Sequence, residues 1–234
     1  LPDEGRHAPA SPRRTPLLIA GVVALLAVLG VGAVIVAGGS GGSILPGNDL
    51  PPTPEFAFDV AKPAVETTAQ VDPEATENEA KARAAAAPAA EQVARQLHDL
   101  YVAAFLEPAN WTEANYENVG AYFAESAQGA ATKQTKVLTA GEGVTELDAI
   151  APLPSTLKLE VLLDPLGKPA TVAGTVNFQA KGTGGDSVYL FRSKGQYVFR
   201  KIDGEWKVVS FSVRRADTEK AAPSSTGSPT GEAS

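Results

Sequence analysis

Cysteine and methionine are absent from this chain of 234 residues, and histidine occurs twice, as His7 and His98. Without cysteine there is no disulfide, no thiol nucleophile, no sulfur-ligated metal and no acylated lipoprotein cysteine. Methionine is missing even at position 1, so the chain is expected to be processed, truncated or begun at a nonstandard start, with room for sequence upstream of Leu1. Positive charge is scarce as well. Twenty Lys and Arg face 27 Asp and Glu, for a net charge of -7. Phosphate contacts need Lys/Arg patches, so no nucleic-acid partner is expected. Aromatic residues make up 6 % of the chain.

One long apolar run is present. Leu17 to Ala37 holds 21 residues without a charge, directly after Arg13 and Arg14. About 20 apolar residues cross a ~30 Å hydrocarbon core at ~1.5 Å per residue. The segment therefore predicts a transmembrane helix and a membrane partner. Arg6, Arg13 and Arg14 precede it, and the next basic residue is Lys62. Basic flanks stay cytoplasmic, so the N-terminus is expected inside and the C-terminal bulk outside, as a single-pass cell-membrane protein. A cleaved signal peptide, with Ala37-Gly38-Gly39 as its site, is the alternative.

Composition divides the rest. Residues 1–16 read as a cytoplasmic tail, 17–37 as the span, and 38–79 as a disordered Gly/Pro/acidic stalk that opens Gly-Gly-Ser-Gly-Gly. A docking peptide around Phe56 and Phe58 is the other reading of the stalk. Residues 80–216 are the expected folded domain, about 130 residues with one core. Residues 217–234 read as a disordered tail.

Within 80–216 the order is helices, then strands. Val93, Leu97, Leu100, Tyr101, Ala104 and Phe105 repeat at helical spacing, so one face of a helix over Ala89–Glu107 packs on something large. Pro88 starts that helix or kinks a longer one. A second helix is expected from Thr112, with Tyr116, Val119, Tyr122 and Phe123 on its apolar face, and a short third from Ala130 to Lys136. From Leu157 onward, apolar residues alternate with polar ones, as in strands. Asp203-Gly204 is a strong two-residue hairpin turn. It predicts the pairs Lys201–Trp206, Phe199–Val208 and Val198–Val209. One face then carries Tyr197, Phe199, Trp206 and Val208. The other carries Val198, Val209, Phe211 and Val213, the candidate interaction face.

The run Gln196 to Val213, with aromatic-x-aromatic followed by Asp-Gly-Glu-Trp-Lys-Val-Val-Ser-Phe, resembles the C-terminal hairpin of the nuclear transport factor 2-like (SnoaL-like, cystatin-type) superfamily. The hairpin Leu159 to Phe178, with Asp164-Pro165 and Gly167, is similar to ectodomains of single-span actinobacterial envelope proteins. The resemblance covers about residues 89–215. It implies an α+β cone in which two or three helices pack on a curved antiparallel sheet. Such cones host isomerases, hydrolases, cyclases and non-enzymatic assembly domains, so the fold does not choose a function.

Chemistry is sparse. Enzymes of this superfamily place an acid/base residue inside the cone, and His98, Asp99 and Tyr116 are the first residues to try for a hydrolase or isomerase. Adjacent helical positions diverge by about 100°, which reads against His98 and Asp99 as a catalytic pair. Glu142, Glu146 and Asp148 miss the calcium-loop pattern and read as solvated. Gly182 to Asp186 lacks the helix of a phosphate cradle. No catalytic, cofactor-binding or metal residue is assigned, and no cofactor. The expected function is a non-catalytic, membrane-anchored extracytoplasmic interaction domain whose partner is an envelope protein or a second copy. The alternative is a cone that holds a lipid or small hydrophobe, lined by Tyr101, Phe105, Tyr122 and Trp206.

Overall fold

A computed structural model describes residues 50–67, 75–141, 144 and 147–221. Contacts divide the chain into the units Leu1–Pro46 and Gly47–Ser234. The expected tail 1–16, span 17–37 and Gly-rich joint lie outside the described residues. Among the described residues no helix is long and apolar enough to cross a membrane.

The second unit is α+β, with helices packed on a curved sheet. Helix α1 runs Ala75–Tyr101 and carries Pro88 within it. Pro88 is exposed, and its missing N–H falls in the Ala-rich stretch, whose high helix propensity lets the helix continue through it. The predicted stripe is the buried face, with Val93 and Leu97 fully enclosed. Each such side chain contributes roughly 1.5–3 kcal/mol. The helix widens into a π turn over Val102–Leu106, closed by Glu107 N–H bonding the Val102 carbonyl at 2.8 Å. Pro108 supplies no N–H to continue the ladder. The freed Ala104 carbonyl accepts from Ala140 N–H at 2.8 Å, and that of Ala103 accepts from Asn110 Nδ2 at 2.8 Å.

The short helices differ from expectation. Pro108 opens helix α2 (Pro108–Trp111), and Thr112 ends it instead of starting the next helix. A 3-10 turn covers Glu117–Tyr122. Helices α3 (Glu125–Lys133) and α4 (Thr135–Leu138) replace the single helix predicted over Ala130–Lys136. Tyr116, Val119 and Phe123 are nonetheless buried, because burial of their apolar groups does not require one continuous helix.

Strands β3 (Ala149–Leu163), β4 (Pro169–Gly184), β5 (Ser187–Ile202) and β6 (Glu205–Arg215) form the antiparallel sheet in chain order. Their inward residues include Leu157, Leu159, Val172, Val176, Phe178 and Phe199, all buried. Gly174 lies in strand β4 where a Cβ would stand 2.7 Å from Leu97 Cδ1, so glycine lets α1 approach the sheet.

Two segments read as disordered from composition belong to this sheet. Strands β1 (Asp59–Val60) and β2 (Ala64–Thr67) run parallel to β3 along its outer edge. They lie inside the predicted stalk 38–79. Strand β7 (Thr218–Ala221), in the predicted tail 217–234, pairs with β5 beyond the end of β6. Both segments satisfy backbone groups at strand positions that β4 and β6 leave free, a gain that composition does not register.

The last hairpin turns at Asp203-Gly204, with Lys201 opposite Trp206 and Phe199 opposite Val208, as the turn predicts. The register then shifts by one. Val198 pairs with Ser210, not Val209, and Tyr197 pairs with Phe211. Val209 is the extra residue of a β-bulge, and past it every side chain of β6 changes face.

Candidate functional site

Aromatic residues from α1 and the sheet meet in the interior of the second unit. Tyr101 and Phe105, one turn apart on α1 and its π extension, stack with centroids 5.6 Å apart. Phe178 from β4 lies 5.0 Å from Tyr101 and 4.8 Å from Phe105. Phe58 closes over Tyr101 edge-on at 5.6 Å. Tyr101 Oη lies 3.1 Å from Tyr197 Oη and 3.2 Å from Ser193 Oγ, and these three polar atoms satisfy one another. Gly195 makes room for this group, because a Cβ there would stand 2.5 Å from the Tyr197 ring.

Burial raises the Tyr101 hydroxyl above its ordinary range, and its bonds to Ser193 and Tyr197 offset part of the shift. Burial raises Tyr197 well above that range, and its neighbour Tyr101 adds to the shift. Both remain neutral at physiological pH. Between α1 and the sheet these rings pack on one another, and their polar cluster is two neutral phenols and a serine.

The residues grouped as a pocket lining are placed accordingly. Tyr101 and Phe105 touch each other in the interior, Trp206 is buried under the sheet, and Tyr122 is half-buried. Burial raises the Tyr122 hydroxyl, and the Asp99 carboxylate adds to it.

The histidine corner differs from the sequence reading. His98 Nδ1 lies 2.9 Å from Asp99 Oδ1, although the two are adjacent in sequence. The side chains bend toward each other, which a 100° separation on the helix permits for a long ring beside a carboxylate. His98 Nε2 lies 3.1 Å from the Phe56 carbonyl oxygen, and its ring stacks on that of Phe56 at 5.6 Å. Both ring nitrogens are thus engaged within the fold. Phe56 and Phe58, the candidate docking peptide, dock on the core of their own chain.

Sequence reasoning missed Arg215. Its guanidinium donates to the carbonyls of Lys136 (3.1 Å), Thr139 and Ala140 (3.1 Å), and pairs with Asp217. It also lies over the rings of Phe105 at 5.4 Å and Phe191 at 5.6 Å. The bulge that turns β6 over aims this residue inward, so the strand pattern alone hides it. Tyr116, a candidate for chemistry, is buried and donates to the Gly141 carbonyl at 3.4 Å. It lines an outer depression of about 700 Å³ bordered by α3 and α4. Asn110, in the Asn-Trp-Thr triplet, is buried with its amide bonded to Ala103. Among the described residues no group of three or more His, Asp or Glu is placed to hold a metal.

The four residues grouped as an interaction face do not share one. Phe211 and Val213 pack against the core, Phe211 edge-on to Phe123 at 5.1 Å. Val198, opposite Ser210, points away from the helices, and Val209 sits in the bulge. The centre of the sheet's outward side is polar. Two neighbouring cross-strand rows span it: Lys158–Thr175–Gln196–Ser212 and Thr156–Asn177–Lys194–Arg214. Together they border a depression of about 520 Å³.

No protein family and no curated protein matches the chain. Among solved structures, a protein from Novosphingobium aromaticivorans described as a "Putative Scytalone Dehydratase" is similar at 13 % identity and a TM-score of 0.35. The alignment covers 59 % of this chain and 94 % of that one.

Proposed function

We propose that the chain is a membrane-anchored, non-catalytic interaction domain of the bacterial cell envelope, built on a nuclear transport factor 2-like cone. The observation that supports a non-catalytic role is the filled interior. The volume where this type of cone would hold a substrate is occupied by Tyr101, Phe105, Phe178 and Tyr197. His98 bonds both Asp99 and the Phe56 carbonyl oxygen, so its two ring nitrogens are taken up within the fold.

The anchor rests on the sequence of Leu17 to Ala37, and the outside location of the domain on the basic residues before it. The partner is an envelope component or a second copy of the chain. The polar outward sheet favours contact through charge over apolar burial. Alkaline carbonate extraction of membranes from cells making the full chain should leave it in the pellet. Protease added to intact spheroplasts should then remove the folded domain. Recovery of the intact chain in the soluble fraction would overturn the reading.

A further inference from the structure

The outward face of the sheet carries a charge pattern opposite to that of the chain. Lys158, Lys181, Arg192, Lys194, Arg200 and Arg214 are all exposed on it. Its acids gather at the β1–β2–β3 edge, where Asp59 (beside Thr156) and Glu160 flank Lys158 and Glu66 lies beside Leu162, whereas Lys181, Arg192, Lys194, Arg200 and Arg214 stand on β4–β6. Glu205, at the hairpin end, is paired with Lys207 at 2.9 Å. Net charge hides this segregation.

Register makes the pattern costly. Lys194 stands directly opposite Arg214. Like charges in direct cross-strand pairs are destabilising. Neither Lys158, Lys194 nor Arg214 forms an ion pair among the described residues. Between them lie the hydroxyls and amides of Thr156, Thr175, Asn177, Gln196 and Ser212, which are hydrogen-bond donors to oxyanions. A face kept basic against its own repulsion, and lined with neutral donors, fits an anionic partner.

The tether suggests which one. With residues 50–67 folded onto the domain, the segment between Ala37 and Leu50 is 12 residues with one charge, Asp49. At ~3.3–3.6 Å per residue it reaches at most about 43 Å. A domain held that close to a bilayer meets lipid headgroups before any other polyanion. We propose that the outward face of β3–β6, centred on Lys158, Lys194 and Arg214, lies on the anionic phospholipid headgroups of the membrane that anchors the chain. This rests on the anchored reading above and names the surface that the domain contacts.

The unit Gly47–Ser234 contains every core residue among those described, so it is tested without the N-terminal segment. It should sediment with vesicles containing about 30 % phosphatidylglycerol and not with pure phosphatidylcholine. Raising NaCl from ~0.1 to ~1 M shortens the screening length from about 10 to 3 Å and should release it. Each basic residue near an anionic surface is worth roughly a fivefold factor in partitioning, so Lys158→Gln/Lys194→Gln/Arg214→Gln should bind about 100-fold less. Its Tm should hold or rise, because a repulsive pair is relieved.

The control Lys62→Gln/Arg95→Gln/Lys133→Gln makes the same change in net charge on other surfaces and should bind as the parent does. No sedimentation with anionic vesicles, or equal losses in both triple variants, would overturn the proposal. Preference for duplex DNA or inorganic polyphosphate over vesicles would assign the face to another polyanion and would also overturn it. Carbonate extraction of the full chain is read separately, so loss of the anchor and loss of the lipid face are distinguishable.

Discussion

At the scale of single residues, the buried phenols govern how stability responds to pH. The folded state holds the Tyr101 and Tyr197 protons more tightly than the unfolded chain does. Above about pH 10 the unfolded state loses protons that the folded state keeps, so stability falls as pH rises. Below that pH the contribution is complete. We expect Tm to be flat from neutral pH to about 9 and to fall steeply above about 10, with tyrosinate absorbance rising at the same transition. Tyr101→Phe/Tyr197→Phe should shallow that decline. It should also lose about 1–3 kcal/mol at neutral pH, because the buried Ser193 hydroxyl loses its partner. Tyr101 was legible in the sequence as a member of the α1 stripe. Its hydrogen bonds were not, since Ser193 and Tyr197 stand more than 90 residues away.

Among elements, the bulge in β6 has the largest consequence. A strict two-residue alternation from Asp203-Gly204 assigns Phe211 and Val213 to the outer face, and one inserted residue at Val209 moves both inside. Phe211→Lys should therefore destabilise the domain and not merely abolish association. The expected loss is about 2–3 kcal/mol, from a broken ring contact and a half-buried charge. Val198→Lys, on the outward side, should stay within about 0.5 kcal/mol of the parent. Urea midpoints of the two variants, compared with the parent, check both. Helix α1 and the turns at Asp164-Pro165 and Asp203-Gly204 were legible because local periodicity and turn chemistry specify them. Strands β1, β2 and β7 were not, because each gains its hydrogen bonds only from a distant strand edge.

For the molecule as a whole, one core joins the helices, β2 and strands β3–β6 of the second unit, from Phe56 to Val213. Trp111 on α2 and Trp206 on β6 report on different parts of it, and both are buried. Thermal unfolding of Gly47–Ser234 followed by tryptophan fluorescence and by far-UV circular dichroism should give coincident transitions. Separate midpoints would mean that the helical subregion unfolds independently of the sheet. By itself the sequence determined the membrane-length apolar run, the α+β order, the apolar face of α1 and the last hairpin's turn, because each is written in residues close together along the chain. Tertiary structure alone decided which way Phe211, Val213 and Arg215 face, where the Phe56–Thr67 segment lies, and that a chain of net charge -7 presents a basic sheet surface. Those outcomes depend on register and on strand edges, where a shift of one residue or a partner a hundred positions away sets the result.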